Sequence, residues 1–290
     1  MKLVTRVSFL VGLAVGAGSP ALAQMPAAAD GPPTILRIGR EEVRAGKDAA
    51  HEANETVWAL AYAKAKLQNG WIGMNSMTGP SEFWYLNGFA SWEDMEKANK
   101  AEEANEAYTA ESRKFSAVDG DLLSRNSASI ATYRPAMSYR AGRNLARYRY
   151  MDVQLIRVKP GHNREFVDSW REQVAAHEKA NLEEGWAFYQ VSSGLQDGVY
   201  IYLQPHVSLA EMDKSGPMHN APAYRDAIGD GGRARSLEMA QAAIESSQTL
   251  HFALNPKMTV APQAWIDADP FWAPKPAVVA KPEAKKAEKK

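Results

Sequence analysis

The segment Lys64–Trp71 reads KAKLQNGW and Lys179–Trp186 reads KANLEEGW, identical at five of eight positions and 115 residues apart. An internal repeat restricts the outcome more than any local pattern, because the fold must then contain one unit made twice. At the same offset, Val43-Arg44-Ala45-Gly46 aligns with Val158-Lys159-Pro160-Gly161, Gly79 with Gly194, and Tyr85 with Tyr200. The offset grows to 117 where Met95-Glu96-Lys97 meets Met212-Asp213-Lys214, and to 121 where Pro135-Ala136-Met137-Ser138 meets Pro256-Lys257-Met258-Thr259. Small loop insertions in the second copy would produce that drift.

Each copy opens with an alternating segment, Leu36–Val43 or Met151–Val158, whose period of two predicts a strand. A turn with a basic residue and Gly follows, and then a stretch rich in Ala, Glu and Lys without Gly or Pro predicts a helix, ended by Gly70 or Gly185. Two further strands flank turns at Gly79 and Gly194. Ser91 and Ser208, each with an acid three residues on, read as N-caps of a second helical region. A last strand covers 127–134 in one copy and 249–254 in the other. The order βαββαβ, twice, predicts an α+β protein of two tandem ferredoxin-like domains, 34–140 and 150–262, joined by a linker at 141–149. The pair is expected to pack sheet to sheet as an intrachain pseudo-dimer.

With its basic-Gly turn after the first strand and Gly-Trp opening the second, the chain resembles the dimeric α/β-barrel superfamily over about residues 34 to 260. Antibiotic-biosynthesis-monooxygenase-like and NIPSNAP-like domains are the nearest comparison. The resemblance implies two ferredoxin-like sheets face to face, here as a fused tandem duplicate. Members include cofactor-independent monooxygenases, haem-binding or haem-degrading enzymes and muconolactone isomerases, so it implies no single activity.

The two ends differ from the body. Lys2 and Arg6 precede the apolar run FLVGLAVGAG, and Ala21-Leu22-Ala23 offers a signal-peptidase site, so residues 1–23 are expected to be a cleaved leader and the protein periplasmic or secreted. Residues 24–33 read as a linker. A Pro/Lys-rich tail is assigned to 263–290, and its part from Pro274 carries six Lys with almost nothing to bury, predicting disorder. Without leader and tail the body holds 26 basic against 32 acidic residues, no footprint for nucleic acid. The basic tail suits an anionic envelope surface. With no Cys, disulfides, thiolate nucleophiles and Cys-ligated metals are excluded.

Strand alternation assigns Val199, Ile201 and Leu203 to the helix side, together with Met151, Val153, Leu155, Leu250, Phe252 and Leu254. Arg37, Tyr85, Asn87, Gln154, Tyr200, Tyr202 and His251 then fall on the face between the sheets. Those residues are the candidate lining of a small-molecule site, the alternative being an ordinary closed core. His251 is the candidate proton shuttle, since an imidazole titrates near neutrality. His51 and Glu55, one helical turn apart, have the spacing of a metal-ligand pair but need further ligands. No cofactor is predicted from the residues, and haem stays open through the resemblance alone. Three readings therefore stand: a ligand-binding protein with cofactor-independent oxygenase or isomerase chemistry, a non-catalytic envelope scaffold, and a haem-binding protein. The loop Ser215–Gly232, without counterpart in the first copy, is expected to be a mobile flap.

Overall fold

The computed structural model describes residues 31–142, 144–215 and 221–275. The leader, most of the first linker and the tail beyond Lys275 lie outside the described residues. The elements run β1 (Ile35–Val43), α1 (Asp48–Lys64), β2 (Trp71–Ser76), β3 (Glu82–Phe89), α2 (Trp92–Ala104), α3 (Glu106–Leu122) and β4 (Leu123–Tyr133). They continue as β5 (Tyr150–Val158), α4 (Asn163–Ala180), β6 (Ala187–Ser193), β7 (Val199–His206), α5 (Leu209–Ser215), α6 (Pro222–Ala243), β8 (Ile244–Leu254) and α7 (Gln263–Ala268).

All eight strands form one closed antiparallel barrel in the order β1-β3-β2-β8-β5-β7-β6-β4. Each half contributes four neighbouring strands, and the halves join edge to edge where β2 meets β8 and β4 meets β6. Closure leaves no unpaired strand edge. The β1–β4 register breaks between Glu42 and Val43, and the β5–β8 register breaks between Arg157 and Val158, the same place in each half. Contacts across the seams are reciprocal. Trp71 donates its indole N–H to the Met258 carbonyl at 2.7 Å, and Trp186 donates to Met137 at 2.8 Å. Gly73 N–H reaches Thr259 Oγ1 as Phe188 N–H reaches Ser138 Oγ, both at 2.9 Å.

The barrel interior is filled. Leu36, Ile38, Met74, Trp84, Leu86, Met151, Val153, Tyr189, Ile201, Leu203, Leu250, Phe252 and Leu254 form one buried cluster drawn from strands of both halves. This inverts the expected faces: the set assigned to the helices fills the barrel, and the alternate set points outward. An enclosed interior admits no water to satisfy polar groups, so the most apolar face of every strand turns inward. Outside, α1 packs with α3 over the first half and α4 with α6 over the second.

Three local expectations also change. The helices α1 and α4 stop before Gly70 and Gly185, α4 at Asn181 with a left-handed φ of 51°. The glycines serve close approach instead, since a Cβ on Gly70 would meet Val260 O at 2.1 Å and one on Gly185 would meet Arg140 O at 2.9 Å. Within the expected flap, residues 216–220 lie outside the described residues, and Pro222 onward belongs to α6, which breaks at Gly229 (φ 69°). Residues 263–275 of the assigned tail belong to the folded body: α7 and the turn Pro270–Trp272 pack Trp265, Ile266, Phe271 and a fully buried Trp272 against the barrel core. Four aromatic or apolar residues in eight are enough to anchor such a short segment.

Candidate functional site

On β1, outward-facing Glu41 stands opposite Phe83 of β3 and Asn126 of β4. The inner face of α1 presents His51 and Glu55 one turn apart, and both are buried. His51 Nε2 lies 2.9 Å from Glu41 Oε2, and Asn126 Nδ2 donates to Glu41 Oε1 at 3.3 Å. Near the end of α3, buried Asp119 accepts from Asn54 Nδ2 at 2.8 Å. Tyr85 of β3 completes the group, packed with Val43, Phe83 and Met258. Three carboxylates, an imidazole and a phenol thus share the layer between α1, α3 and the sheet.

Burial pushes the Glu55 carboxyl well above the usual carboxylate range, and the neighbouring Glu41 and Asp119 charges push it further. Burial likewise raises Asp119, with Glu41 adding to it. The Tyr85 hydroxyl is driven up by burial and by the charge of Glu55. Glu55 Oε1, the Tyr85 hydroxyl and His51 Nδ1 are buried without a partner in hydrogen-bonding geometry. Beside the cluster opens a cleft of about 290 Å³ lined by Glu41, Trp58, Ser116, Asp119, Leu123 and Asn126 among others. Of the cluster, Glu41 and Asp119 line this cleft.

The same positions in the second half are apolar. At the offset of 115, Glu41 corresponds to Ile156, His51 to Phe166, Glu55 to Trp170 and Tyr85 to Tyr200. Ile156, Phe166 and Tyr200 are buried in one aromatic cluster, with Trp170 packed against it. Sequence reasoning paired His51 with Glu55 but lacked Glu41. Comparing the halves at that offset for polar residues opposite apolar ones would have supplied it.

The residues expected to line an inter-sheet site all lie on the outer face, and the structure does not bring them together. Arg37 reaches Asn99 at 3.2 Å and Asn87 at 3.3 Å, under α2. Asn87 in turn donates to the carbonyls of Asn69 and Gly70. Tyr85 joins the polar cluster just described. Tyr200 packs on Phe166 and borders a second cleft of about 370 Å³ with Arg134, Arg164 and Arg171. Tyr202 stacks among Trp170, Trp186 and Phe188 and donates to Gln204 at 2.9 Å. Gln154 donates to Ser247 at 2.8 Å.

His251 has a partner that spacing did not reveal. The β5–β8 register sets Asp152 opposite it, with Nδ1 2.6 Å from Asp152 Oδ1. His206 ends β7 and is buried, its Nε2 3.2 Å from Asp152 Oδ2. Burial would raise the Asp152 carboxyl, but hydrogen bonds from His206 and His251 bring it below the ordinary value. This His–Asp–His group sits on the outer face of the second half, and neither of the two clefts is lined by it.

No family model matches the chain, and no curated protein matches it. Solved structures do. A candidate monooxygenase from Fusobacterium nucleatum is 12% identical with a TM-score of 0.52, over 77% of this chain and 93% of that one. A candidate monooxygenase from Lactobacillus acidophilus is 10% identical with a TM-score of 0.49, over 77% and 94%. A candidate chlorite dismutase is 17% identical with a TM-score of 0.44, over 78% and 97%. These proteins belong to the dimeric α+β barrel superfamily, and the likeness is one of fold.

Proposed function

We propose that the chain is an exported small-molecule-binding protein, a fused duplicate of one ferredoxin-like unit whose first copy has turned its helix–sheet core into a polar pocket. Matched register breaks and reciprocal Trp–Met contacts support the duplication. One observation carries the function: Glu41, His51 and Glu55 occupy positions whose mates are Ile156, Phe166 and Trp170. Buried polar groups with unmet hydrogen bonds lower stability, and such breaches of packing rules concentrate at working sites. The occupant suited to the pocket is a small hydroxylated or aromatic compound entering beside Trp58, with polar atoms meeting Glu41 and Asp119. Oxygenase or isomerase chemistry is the class in keeping with the superfamily, and the site for it is this pocket, not the space between the sheets.

The test is calorimetric titration with 1-naphthol as a small hydroxyaromatic probe. Saturable one-to-one binding, weakened at least tenfold by Trp58→Ala and unchanged by Gln154→Ala, supports the reading. Absence of binding, or equal loss in both variants, overturns it. Export is tested separately by sequencing the N-terminus of protein recovered from the cell envelope, which should begin at Gln24.

The filled barrel interior favours a second reading, a non-catalytic envelope scaffold held to anionic surfaces by its basic tail. Vesicle binding that depends on the tail, together with an inert pocket, would favour it. A haem would need a histidine nitrogen facing a broad slot, and neither cleft is lined by a histidine. A Soret band in protein purified with haem supplied would favour the haem-binding reading, and its absence would count against it.

A further inference from the structure

We infer that Glu41, His51 and Glu55 form a binding site for a divalent first-row transition-metal cation, with Asp119, Asn126 and Tyr85 around it. The inference rests on the polar pocket being the functional site, and it makes the chemistry there metal-assisted where the resemblance alone suggests cofactor-free catalysis.

One oxygen from each glutamate and one ring nitrogen of His51 all lie within 4.8 Å of one another. A cation with bonds of about 2.1 Å holds tetrahedral ligand atoms roughly 3.4 Å apart, so the widest pair needs to close by no more than about 1.4 Å. Side-chain torsions supply that without moving the backbone. The ligand atoms come from two elements, β1 and α1, which the barrel and its packed helix hold in fixed relation.

A second observation points to a missing partner. Glu55 is 4% exposed, and its Oε1 is buried without a partner at good hydrogen-bond geometry, with the Tyr85 hydroxyl and the Asp119 carboxyl as polar neighbours. A buried carboxylate oxygen facing two further carboxylates needs a positive charge or a donor. Among the described residues no Lys or Arg forms a salt bridge with Glu41, Glu55 or Asp119. The surroundings also match what a metal site requires beyond its ligands. Asn126 bonds Glu41 Oε1, which fixes that carboxylate's rotamer as outer partners of metal ligands do.

One imidazole with two carboxylates is a borderline-to-hard donor set, suited to Zn²⁺, Mn²⁺ or Fe²⁺ and poorly suited to soft ions such as Cu⁺. Three protein ligands leave at least one coordination position free, and one of the three, Glu41, lines the cleft. An oxygen atom of a bound molecule, or a water, would take it, and the cation would polarise that atom. In the second half the mates Ile156, Phe166 and Trp170 offer no ligand, so the duplicate should bind one cation, not two.

The test uses the full chain stripped with EDTA and titrated with Co²⁺ as a visible probe, then with Zn²⁺ in competition. The expected result is one cobalt per chain, with d–d absorption bands that vanish on adding one equivalent of Zn²⁺. Glu55→Gln and His51→Gln should each weaken binding at least a hundredfold, while Asp152→Asn leaves it unchanged. X-ray absorption on the wild-type cobalt protein should show mixed nitrogen and oxygen ligation, a readout that stands even if a variant fails to fold. No stoichiometric binding, binding undiminished in folded Glu55→Gln, or binding abolished by Asp152→Asn overturns the site. The two claims fail separately: naphthol binding to metal-free protein with no cobalt uptake removes the cation alone, and cobalt uptake with no naphthol binding removes the ligand reading alone.

Discussion

Replacing Glu55 with Met in metal-free protein should make the fold more stable. Glu55 is buried on the inner face of α1, with one carboxyl oxygen unpartnered and Glu41 and Asp119 as neighbours. Met is unbranched and of similar length, so the exchange opens no cavity and Phe83, Tyr85 and Trp58 need little repacking. Removing one buried unmet polar atom relieves about 1–3 kcal/mol. Exchanging buried ionic groups for apolar ones of like volume gives a comparable gain. Taking about 2 kcal/mol as the centre, and about 3 °C per kcal/mol for a chain of this size, Tm should rise by about 6 °C. The second half supports the sign, since its mate at this position is already Trp170. The assay is guanidinium unfolding followed by circular dichroism, with EDTA throughout so that no cation stabilises the wild type. A loss of more than about 1 kcal/mol would mean that Glu55 belongs to a satisfied structural network. That outcome refutes the argument that this layer departs from good packing for the sake of a ligand.

Four further substitutions test the architecture. Gly70→Ala should cost more than Gly185→Ala, because the added methyl meets Val260 O at 2.1 Å in the first case and Arg140 O at 2.9 Å in the second; about 3 kcal/mol or more against about 1–2 kcal/mol is expected in denaturant melts. Trp272→Ala should cost about 3–5 kcal/mol, since the indole is buried against the barrel core and donates to Ala146 O at 2.6 Å; a loss below about 1 kcal/mol would show that the segment is not part of the core. Asp152→Asn should flatten the acid end of the stability profile. Asp152 has a folded pKa below its ordinary value of 3.8, so its contribution is present above that value and is lost as pH falls through the folded one. Melts between pH 5 and pH 2 would detect this, and an unchanged slope in the variant would count against the pairing with His206 and His251.

Much of the fold was legible because it is local. The alternation in Leu36–Val43 and Met151–Val158 marked β1 and β5 nearly to the residue, and Ser91 caps α2 by accepting from Asp94 N–H as its spacing implied. What alternation cannot say is which of its two faces is inside. Val199, Ile201 and Leu203 share a face in any model of β7, but an open sheet would lay that face on helices whereas a closed barrel turns it toward the axis. The choice depends on whether β2 finds β8 and β4 finds β6, pairings at sequence distances of up to about 180 residues that no local pattern encodes. Gly70 and Gly185 misled for a related reason: each is required by a chain segment from the other half pressing on it, not by its own helix end.

The polar cluster was illegible residue by residue and legible only as a difference. His51 alone is a buried histidine of unremarkable kind, and Glu41 alone a strand residue near a solvent-facing cleft. Aligning the halves at the 115-residue offset gives each a comparison, because Phe166 and Ile156 stand at the corresponding positions of the second half. The barrel interior is sealed by side chains from both halves, and the outer layers add separate buried clusters to it. One layer, with Phe166, Trp170, Trp186, Phe188 and Tyr200, is mainly aromatic and buries a single His177–Glu184 pair at 2.8 Å beside them. The other can hold carboxylates that no soluble core would keep for stability, and that is why the search for chemistry belongs under α1 and not inside the barrel.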